Sequence, residues 1–263
     1  MERNLRRAHP HTWSFHQITT RSSLLLPAVV DSQPSPSKEY PEATLLRLPD
    51  STPLTSSFAE VVAQRASARS FSDHALPAAA VATILAVAYG VRGRREFGGL
   101  EVLDRSVPSA GGLYPLELYV IALAVEGLRP GVYHYQPLLH ALEFLRPLET
   151  PRPLIAQLFM GQPYVARAAA VVVLTAVFER TLRKYGDRGY RYLLLEAGHV
   201  GQNLQLAAVA LNLGALSVGG FFDQELGAFL ALDGDEEAPI YATAVGHVDR
   251  DGNYERDTTT PLR

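Results

Sequence analysis

Three glycine- or arginine-bearing stretches have the residue types that hold a ligand. In Arg65-Ala66-Ser67-Ala68-Arg69-Ser70-Phe71, two arginines and a serine fall within five residues. Such a set suits a phosphate dianion, because guanidinium forks bring charge and paired donors and a hydroxyl adds a hydrogen bond. It equally suits a solvated basic turn at a helix C-terminus, where cations face the negative end of the helix dipole. Pro108-Ser109-Ala110-Gly111-Gly112-Leu113-Tyr114-Pro115 precedes an apolar run. Its small residues let backbone N–H groups approach a flat ligand; the plainer alternative is a Gly-rich turn. The G-x-G-x-x-G spacing is missing and no helical pattern follows, so a dinucleotide fingerprint is not supported. Ser217-Val218-Gly219-Gly220-Phe221 repeats the pattern after Gly214. A tight turn after a helix C-cap explains Gly214 but not the Gly219-Gly220 pair.

Two further stretches carry groups that move protons or bind metals. Lys184-Tyr185 opens the run KYGDRGYRY. An ammonium beside a phenol favours the phenolate, and a buried lysine can itself lose its proton, so the pair suits proton transfer. An exposed helix start with aromatic anchors reads the same way. Glu196, His199, Gln202 and Asn203 lie at i, i+3 and i+4 spacings on a helix. A single Glu-x-x-His is poor support for a di-metal bundle, and a satisfied polar seam is the better reading.

The elements that must position these residues follow from periodicity. Helices are predicted over FAEVVAQRA from Ser57, over LPAAAVATILAVAYG to Gly90, over PRPLIAQLF, over Tyr190–Leu213 with Gly214 as C-cap, and over DQELGAFLAL. Strands are predicted over Leu116–Gly127, twice within GVYHYQPLLHALEFL, over Ala168–Phe178 and over PIYATAVGHV, with ALSVGGFF a short strand or loop. VRGRREFGGLEVLDRS is polar and Gly-rich and reads as a loop or mobile edge. Helices and strands do not alternate as βαβ units, which favours an α+β layer over a doubly wound sheet. Residues 1–57 are rich in Pro and Ser and read as an extended arm able to wrap a partner. Residues 58–250 form the domain, and 251–263 a polar tail.

Composition narrows the function classes. The 263 residues are 47% apolar and 19% charged, ordinary for a packed domain, and the net charge of −3 argues against nucleic acid or an anionic membrane. There is no cysteine, so disulfides, thiolate metal sites and cysteine nucleophiles are excluded. Tyr190–Leu213 carries too many polar residues for a membrane span, and no signal-peptide pattern follows the basic start. A cytoplasmic location is the expectation.

Taken in order, R-x-S-x-R-x-F, PSAGGLYPLELYV, GVYHYQP, KYGDRGYRYLLLEAGHVGQNLQLAA and LGALSVGGFFD resemble the SagB-type azoline oxidases of the FMN-dependent nitroreductase superfamily. The likeness runs from about Phe58 to His247, and Phe15-His16-Gln17 is similar to the family's amino-terminal pattern. It implies an α+β nitroreductase-like fold, an antiparallel or mixed sheet flanked by helices, with FMN at a homodimer interface. Arg65, Ser67 and Arg69 match residues holding the FMN phosphate and ribityl chain. Ser109, Gly111 and Gly112 match the loop along the flavin ring, and Gly219 and Gly220 the backbone near its reactive edge. Lys184 and Tyr185 match the pair associated with azoline oxidation. Ala66 stands where a basic residue is common, and Arg250 is the candidate for a late basic residue completing the phosphate site. The implied activity is FMN-dependent dehydrogenation of peptide thiazolines or oxazolines to thiazoles or oxazoles. The partners implied are an azoline-containing precursor peptide and a cyclodehydratase. The alternatives are a NAD(P)H-dependent nitroreductase or flavin reductase of the same fold, and a non-catalytic scaffold for the cyclodehydratase.

Overall fold

The apolar, β-branched runs pair into one seven-stranded sheet. The computed structural model describes residues 5–20, 35, 37–97, 100–149 and 151–249. The amino-terminal part holds α1 (Leu5–Ala8), α2 (Pro10–Ile18) and β1 (Thr44–Arg47). Next come α3 (Phe58–Gln64), α4 (Ala78–Tyr89), and the strands β2 (Val91–Phe97) and β3 (Leu100–Arg105). A 3-10 turn at Ala110–Gly112 leads to β4 (Leu116–Ala122), β5 (Gly131–Gln136) and β6 (Ala141–Pro147). The chain continues through α5 (Pro151–Leu158), α6 (Pro163–Arg167), β7 (Ala170–Val177), α7 (Glu179–Tyr185) and α8 (Arg188–Ala210). It closes with β8 (Gly214–Val218), α9 (Asp223–Phe229) and β9 (Glu237–Gly246).

The sheet order is β1-β6-β5-β4-β7-β9-β8, with every paired strand antiparallel. Alternation along β4 divides its side chains between two cores. Leu116, Leu118, Val120 and Ala122 join the core formed with α4 and α8, whereas Tyr119 and Ile121 join the one formed with α5, α6 and α9. A sheet covered on both faces reads as near-continuous apolar sequence, and all of β4 and β5 is buried. This is the expected α+β arrangement of helices around an antiparallel sheet.

Local chemistry sets the helix ends. Ser57 Oγ accepts from Glu60 N at 3.3 Å while the Glu60 carboxylate accepts from Ser57 N at 2.8 Å, a capping box that starts α3. The long helix runs Arg188–Ala210 and closes on Asn212, in the left-handed region at φ +59°, with Leu213 N donating to Ala208 O at 2.8 Å. Gly214 is therefore not the cap. It is the first residue of β8, where a Cβ would lie 2.5 Å from Val248 Cγ2 and 2.7 Å from Ala68 Cβ, so glycine is needed for close approach.

Two segments differ from their sequence reading. Val91–Arg105 pairs as an antiparallel hairpin rather than forming a loop. The exposed Arg92, Arg94, Arg95 and Glu96 of β2 mask the strand pattern because they face solvent on a two-stranded ribbon. Residues 1–57, read as irregular, contain α2, docked on the same chain, and β1, which pairs with β6 at the sheet edge. Arg191 Nε donates to Thr19 Oγ1 at 2.7 Å and Arg188 Nη1 to Thr19 O at 3.1 Å, while Phe15 packs edge-on against Tyr190 at 5.7 Å.

α8 crosses the sheet closely at Gly201, where a Cβ would sit 2.6 Å from the Tyr241 ring of β9. Gly201→Ala is expected to lower stability by roughly 1–3 kcal/mol through overpacking, outweighing a helix-propensity gain of about 1 kcal/mol. Urea unfolding curves check the sign; a more stable variant would show that the contact is soft.

Candidate functional site

Lys184 and Tyr185 occupy the last two positions of α7, which Gly186 terminates at φ +55°. Both are half-buried, and their head groups converge on one loop position. A Cβ on Gly111 would lie 2.7 Å from Tyr185 Oη and 3.0 Å from Lys184 Nζ. Gly111 also has φ +66°, so both its backbone and its space require glycine. Lys184 Nζ stands 5.5 Å from the Tyr185 ring centroid, and that ring packs edge-on against Tyr192 at 5.0 Å. Ser109 Oγ accepts from Tyr114 N at 2.9 Å, closing a loop in which Gly111, Gly112 and Tyr114 all have positive φ. The predicted proton-transfer pair and the predicted Gly-rich loop are thus brought together, with Gly111 exposed at their junction.

A chain of buried charges fixes α7 to the sheet. Arg180 Nη2 meets Glu117 Oε1 at 2.6 Å, and Arg180 Nη1 donates to Tyr114 O at 3.3 Å. The other Glu117 oxygen lies 2.9 Å from His134 Nε2, and His134 Nδ1 lies 2.7 Å from Glu143 Oε2. With a carboxylate facing each ring nitrogen, His134 donates twice and is an imidazolium. Burial opposes that charge, but the hydrogen bonds to Glu117 and Glu143 outweigh it and raise the ring's pKa. Burial likewise opposes ionised Glu117, but His134 and Arg180 outweigh it and lower its pKa. Backbone N–H groups of the segment before β1 complete the chain: Lys38 N donates to Glu117 at 2.6 Å and Tyr40 N to Glu143 at 3.1 Å. Sequence reasoning missed these residues, since positions 117, 134, 143 and 180 share no local pattern and meet only when the sheet pairs.

The arginine cluster lies along β8. Ser67 bridges Ala215 in parallel, Ala68 N donates to Ala215 O at 3.0 Å, and buried Phe71 bridges Val248. These contacts hold Ser67 and Arg69 at the surface. Arg65 Nη1 donates to Gln205 Oε1 at 3.0 Å, and Gln205 Nε2 donates to Ser217 Oγ at 2.8 Å. Gly219, just beyond β8, is exposed, and a Cβ there would meet no heavy atom within 4 Å. Gly220 is tied down, its carbonyl accepting from Gln162 Nε2 at 3.1 Å. Exposed guanidinium and hydroxyl groups beside an open backbone segment fit a ligand with a phosphate and a flat ring. Arg250 lies outside the described residues.

α8 carries a link to each cluster. Glu196 lies under the Ser109 loop and Gln205 beside Arg65. Nine residues of helix place them roughly 13.5 Å apart along the axis and on opposite sides of it. The polar seam read from the sequence is divided. Glu196 is buried, His199 and Gln202 are exposed, and Asn203 donates to Val87 O at 3.2 Å. Among the described residues no group of acidic or His side chains is arranged to hold a metal, and no helix is long and apolar enough to cross a membrane.

Residues 62–247 match the nitroreductase family model. The chain belongs to the nitroreductase family. It is 39% identical over 187 residues to MJ1384 of Methanocaldococcus jannaschii, a protein named as a nitroreductase, covering 71% of this chain and 89% of that one. It is 34% identical over 157 residues to the microcin B17-processing protein McbC of Escherichia coli, spanning 56% of each. Its fold superimposes with a TM-score of 0.62, at 26% identity, on a chain of the Escherichia coli microcin synthetase McbBCD complex with truncated pro-MccB17 bound. That match covers 94% of this chain and 98% of the other. The SagB-type likeness read from the motifs is borne out by these matches.

Breaking the buried chain by Arg180→Ala is expected to cost about 3–5 kcal/mol, because Glu117 loses a buried partner. The wild-type chain should be most stable at intermediate pH. The Glu117 contribution is present above the ordinary carboxylate value of 4.5 and lost as pH falls through its lowered folded value. The His134 contribution is full below 6.5 and lost as pH rises through its raised folded value. Urea midpoints measured across pH check both limbs; a flat profile would contradict them.

Proposed function

We propose that this protein is an FMN-dependent oxidoreductase that dehydrogenates thiazoline or oxazoline rings in a peptide to thiazoles or oxazoles. The observation that carries this reading is the convergence of Tyr185 Oη and Lys184 Nζ on Gly111 of the Ser109–Gly112 loop. The similarity to a microcin B17-processing protein supports a peptide substrate. In this reading Arg65, Ser67 and Arg69 hold the FMN phosphate and ribityl chain, with Arg250 as the completing residue. Ser109, Gly111 and Gly112 line the ring, with Gly219 and Gly220 at its reactive edge. FMN, when bound, supplies a two-electron acceptor for hydride and passes the electrons on to oxygen.

The azoline α-carbon carries an acidic C–H between the imine and the carbonyl. Tyr185 Oη takes that proton, and Lys184 Nζ at the same loop position offsets the charge on the oxygen. The exchange of roles between the two is the variant form. Loss of the proton, with hydride leaving the adjacent ring carbon, gives the aromatic azole. The exposed Gly111 junction admits a peptide-borne ring.

Two clusters on opposite sides of α8 favour a homodimer in which the cofactor site is completed across the interface. The exposed Leu194 and Leu195 on that helix, 41% and 62% accessible, provide apolar surface for it. A cyclodehydratase partner is proposed from the match to a synthetase complex, and the cytoplasm as the place of action. The 39% identity to a protein named as a nitroreductase favours, as the second reading, NAD(P)H-dependent reduction on the same fold.

Arg65→Ala and Arg69→Ala should release flavin from the purified protein, since charge-assisted hydrogen bonds contribute about 1.5–3 kcal/mol each. Full occupancy in both variants, measured by absorbance after heat release, would refute the phosphate assignment. Lys184→Ala and Tyr185→Phe should keep flavin yet lose ~10²–10⁴-fold in azoline oxidation. The readout is a mass decrease of about 2 Da per ring. Wild-type rates in both variants would make the pair structural, and fast nitroaromatic reduction by NADPH without azoline turnover would favour the second reading.

A further inference from the structure

Among the described residues Glu196 is the buried carboxylate attached to the Gly-rich loop, and the proposed chemistry does not use it. It lies in α8 with 3% of its surface exposed. Its carboxylate accepts from Tyr89 Oη at 2.8 Å and from the Ser109 hydroxyl. Each donor ties one end of the loop. Ser109 Oγ accepts from Tyr114 N at 2.9 Å, and Tyr89 Oη accepts from Leu116 N at 3.3 Å. Between these ties the backbone is held at positive φ at Gly111, Gly112 and Tyr114, the last a conformation that a bulky side chain resists. One carboxylate thus clamps both ends of a strained loop whose middle receives Lys184 and Tyr185.

The surroundings of Glu196 are defined by four neighbouring segments. α4 gives Tyr89, and β3 gives Arg105, whose guanidinium lies 4.4 Å from the Tyr89 ring centroid and 4.9 Å from that of Tyr114. α7 gives Arg180, and β4 gives Glu117, which acts on Tyr89. Ionised, Glu196 accepts from both hydroxyls. As a neutral acid it is a weaker acceptor and carries a proton of its own, which weakens the hydrogen bonds from both hydroxyls. That weakening loosens the ties made through Ser109 and Tyr89 at Tyr114 and Leu116.

We propose that Glu196 is a positioning residue whose protonation state sets the conformation of the Ser109–Leu116 loop and so the placement of Gly111 against Lys184 and Tyr185. The proposal rests on the flavin reading for its consequence, but not for the conformational step itself. Burial pushes the Glu196 carboxyl up, and the hydrogen bonds from Ser109 and Tyr89 with the Arg105 and Arg180 charges hold it at about 7.

The test follows the backbone amide shifts of Tyr114 and Leu116 by NMR between about pH 5.5 and 8.5, with and without added FMN. The wild-type protein should show a one-proton transition at both amides with a midpoint near 7. Glu196→Gln, which holds the neutral form, should abolish the transition and fix the shifts near their low-pH values. Tyr89→Phe, which removes one donor to the carboxylate, should move the midpoint to higher pH. If FMN binds, its visible absorbance should follow the same midpoint in the wild-type protein and lose the transition in Glu196→Gln. A transition that survives Glu196→Gln, or amides of the wild-type protein that do not titrate in this range, would overturn the proposal. A transition seen without any flavin binding would uphold it while removing the flavin reading.

Discussion

A charge buried without a partner is among the costliest errors a fold can make, and four such groups meet beside β4. Glu117 cannot be ionised there without Arg180 and His134, and His134 cannot be protonated without Glu117 and Glu143. Their mutual dependence is structural as well as electrostatic. Satisfying it ties α7 to β4 through Arg180 and Glu117, links β4 to β5 and β6 through His134 and Glu143, and draws the segment at Lys38 and Tyr40 onto the same carboxylates. Because Arg180 also donates to Tyr114 O, the helix that ends in Lys184-Tyr185 and the loop that contains Gly111 are referred to one anchor. The pair sits four and five residues beyond Arg180 on the same short helix, so its position is inherited from the ion chain.

The second organising element is α8. Its apolar residues build the core over the sheet, and Gly201 lets it lie against Tyr241. Its polar residues reach the two clusters in opposite directions. Glu196 supports the loop next to α7, and Gln205 joins Arg65 to Ser217. A rigid helix with one link at each site keeps the arginine cluster and the Lys-Tyr pair in fixed relation without direct contact. That arrangement accounts for Glu196 and Gln205, two polar residues of a helix whose His199 and Gln202 face solvent.

Much of this was legible from local pattern. Helices α3, α4, α5, α8 and α9 and most strands follow apolar periodicity, whereas α1, α2, α6 and α7 carry too short a pattern to read. The order of RASAR, SAGG, the Lys-Tyr run and the Gly219-Gly220 pair carried the family. What stayed hidden depends on distance in sequence or on solvent exposure. The ion chain joins residues up to 63 positions apart on β4 and α7, with nothing local to mark it. The β2–β3 ribbon has too many charges to read as a strand pair. Gly214 looks like a helix cap because glycine there is required, but the requirement comes from Ala68 and Val248. Glu196 lies three residues before His199, a spacing that suggests a metal, whereas its partners are hydroxyls from α4 and the loop.

The central claim is that the Gly111 junction delivers a peptide-borne azoline to bound FMN with Lys184 and Tyr185 handling the proton. The most direct measurement is a single turnover without oxygen. Flavin-loaded protein is mixed with an azoline peptide, with no nicotinamide present, and the oxidised-flavin absorbance is followed alongside product mass. Bleaching of the flavin in step with formation of one azole per flavin is the result this account predicts. A flavin that stays oxidised with the peptide at saturation, yet bleaches at once with NADPH, would contradict it.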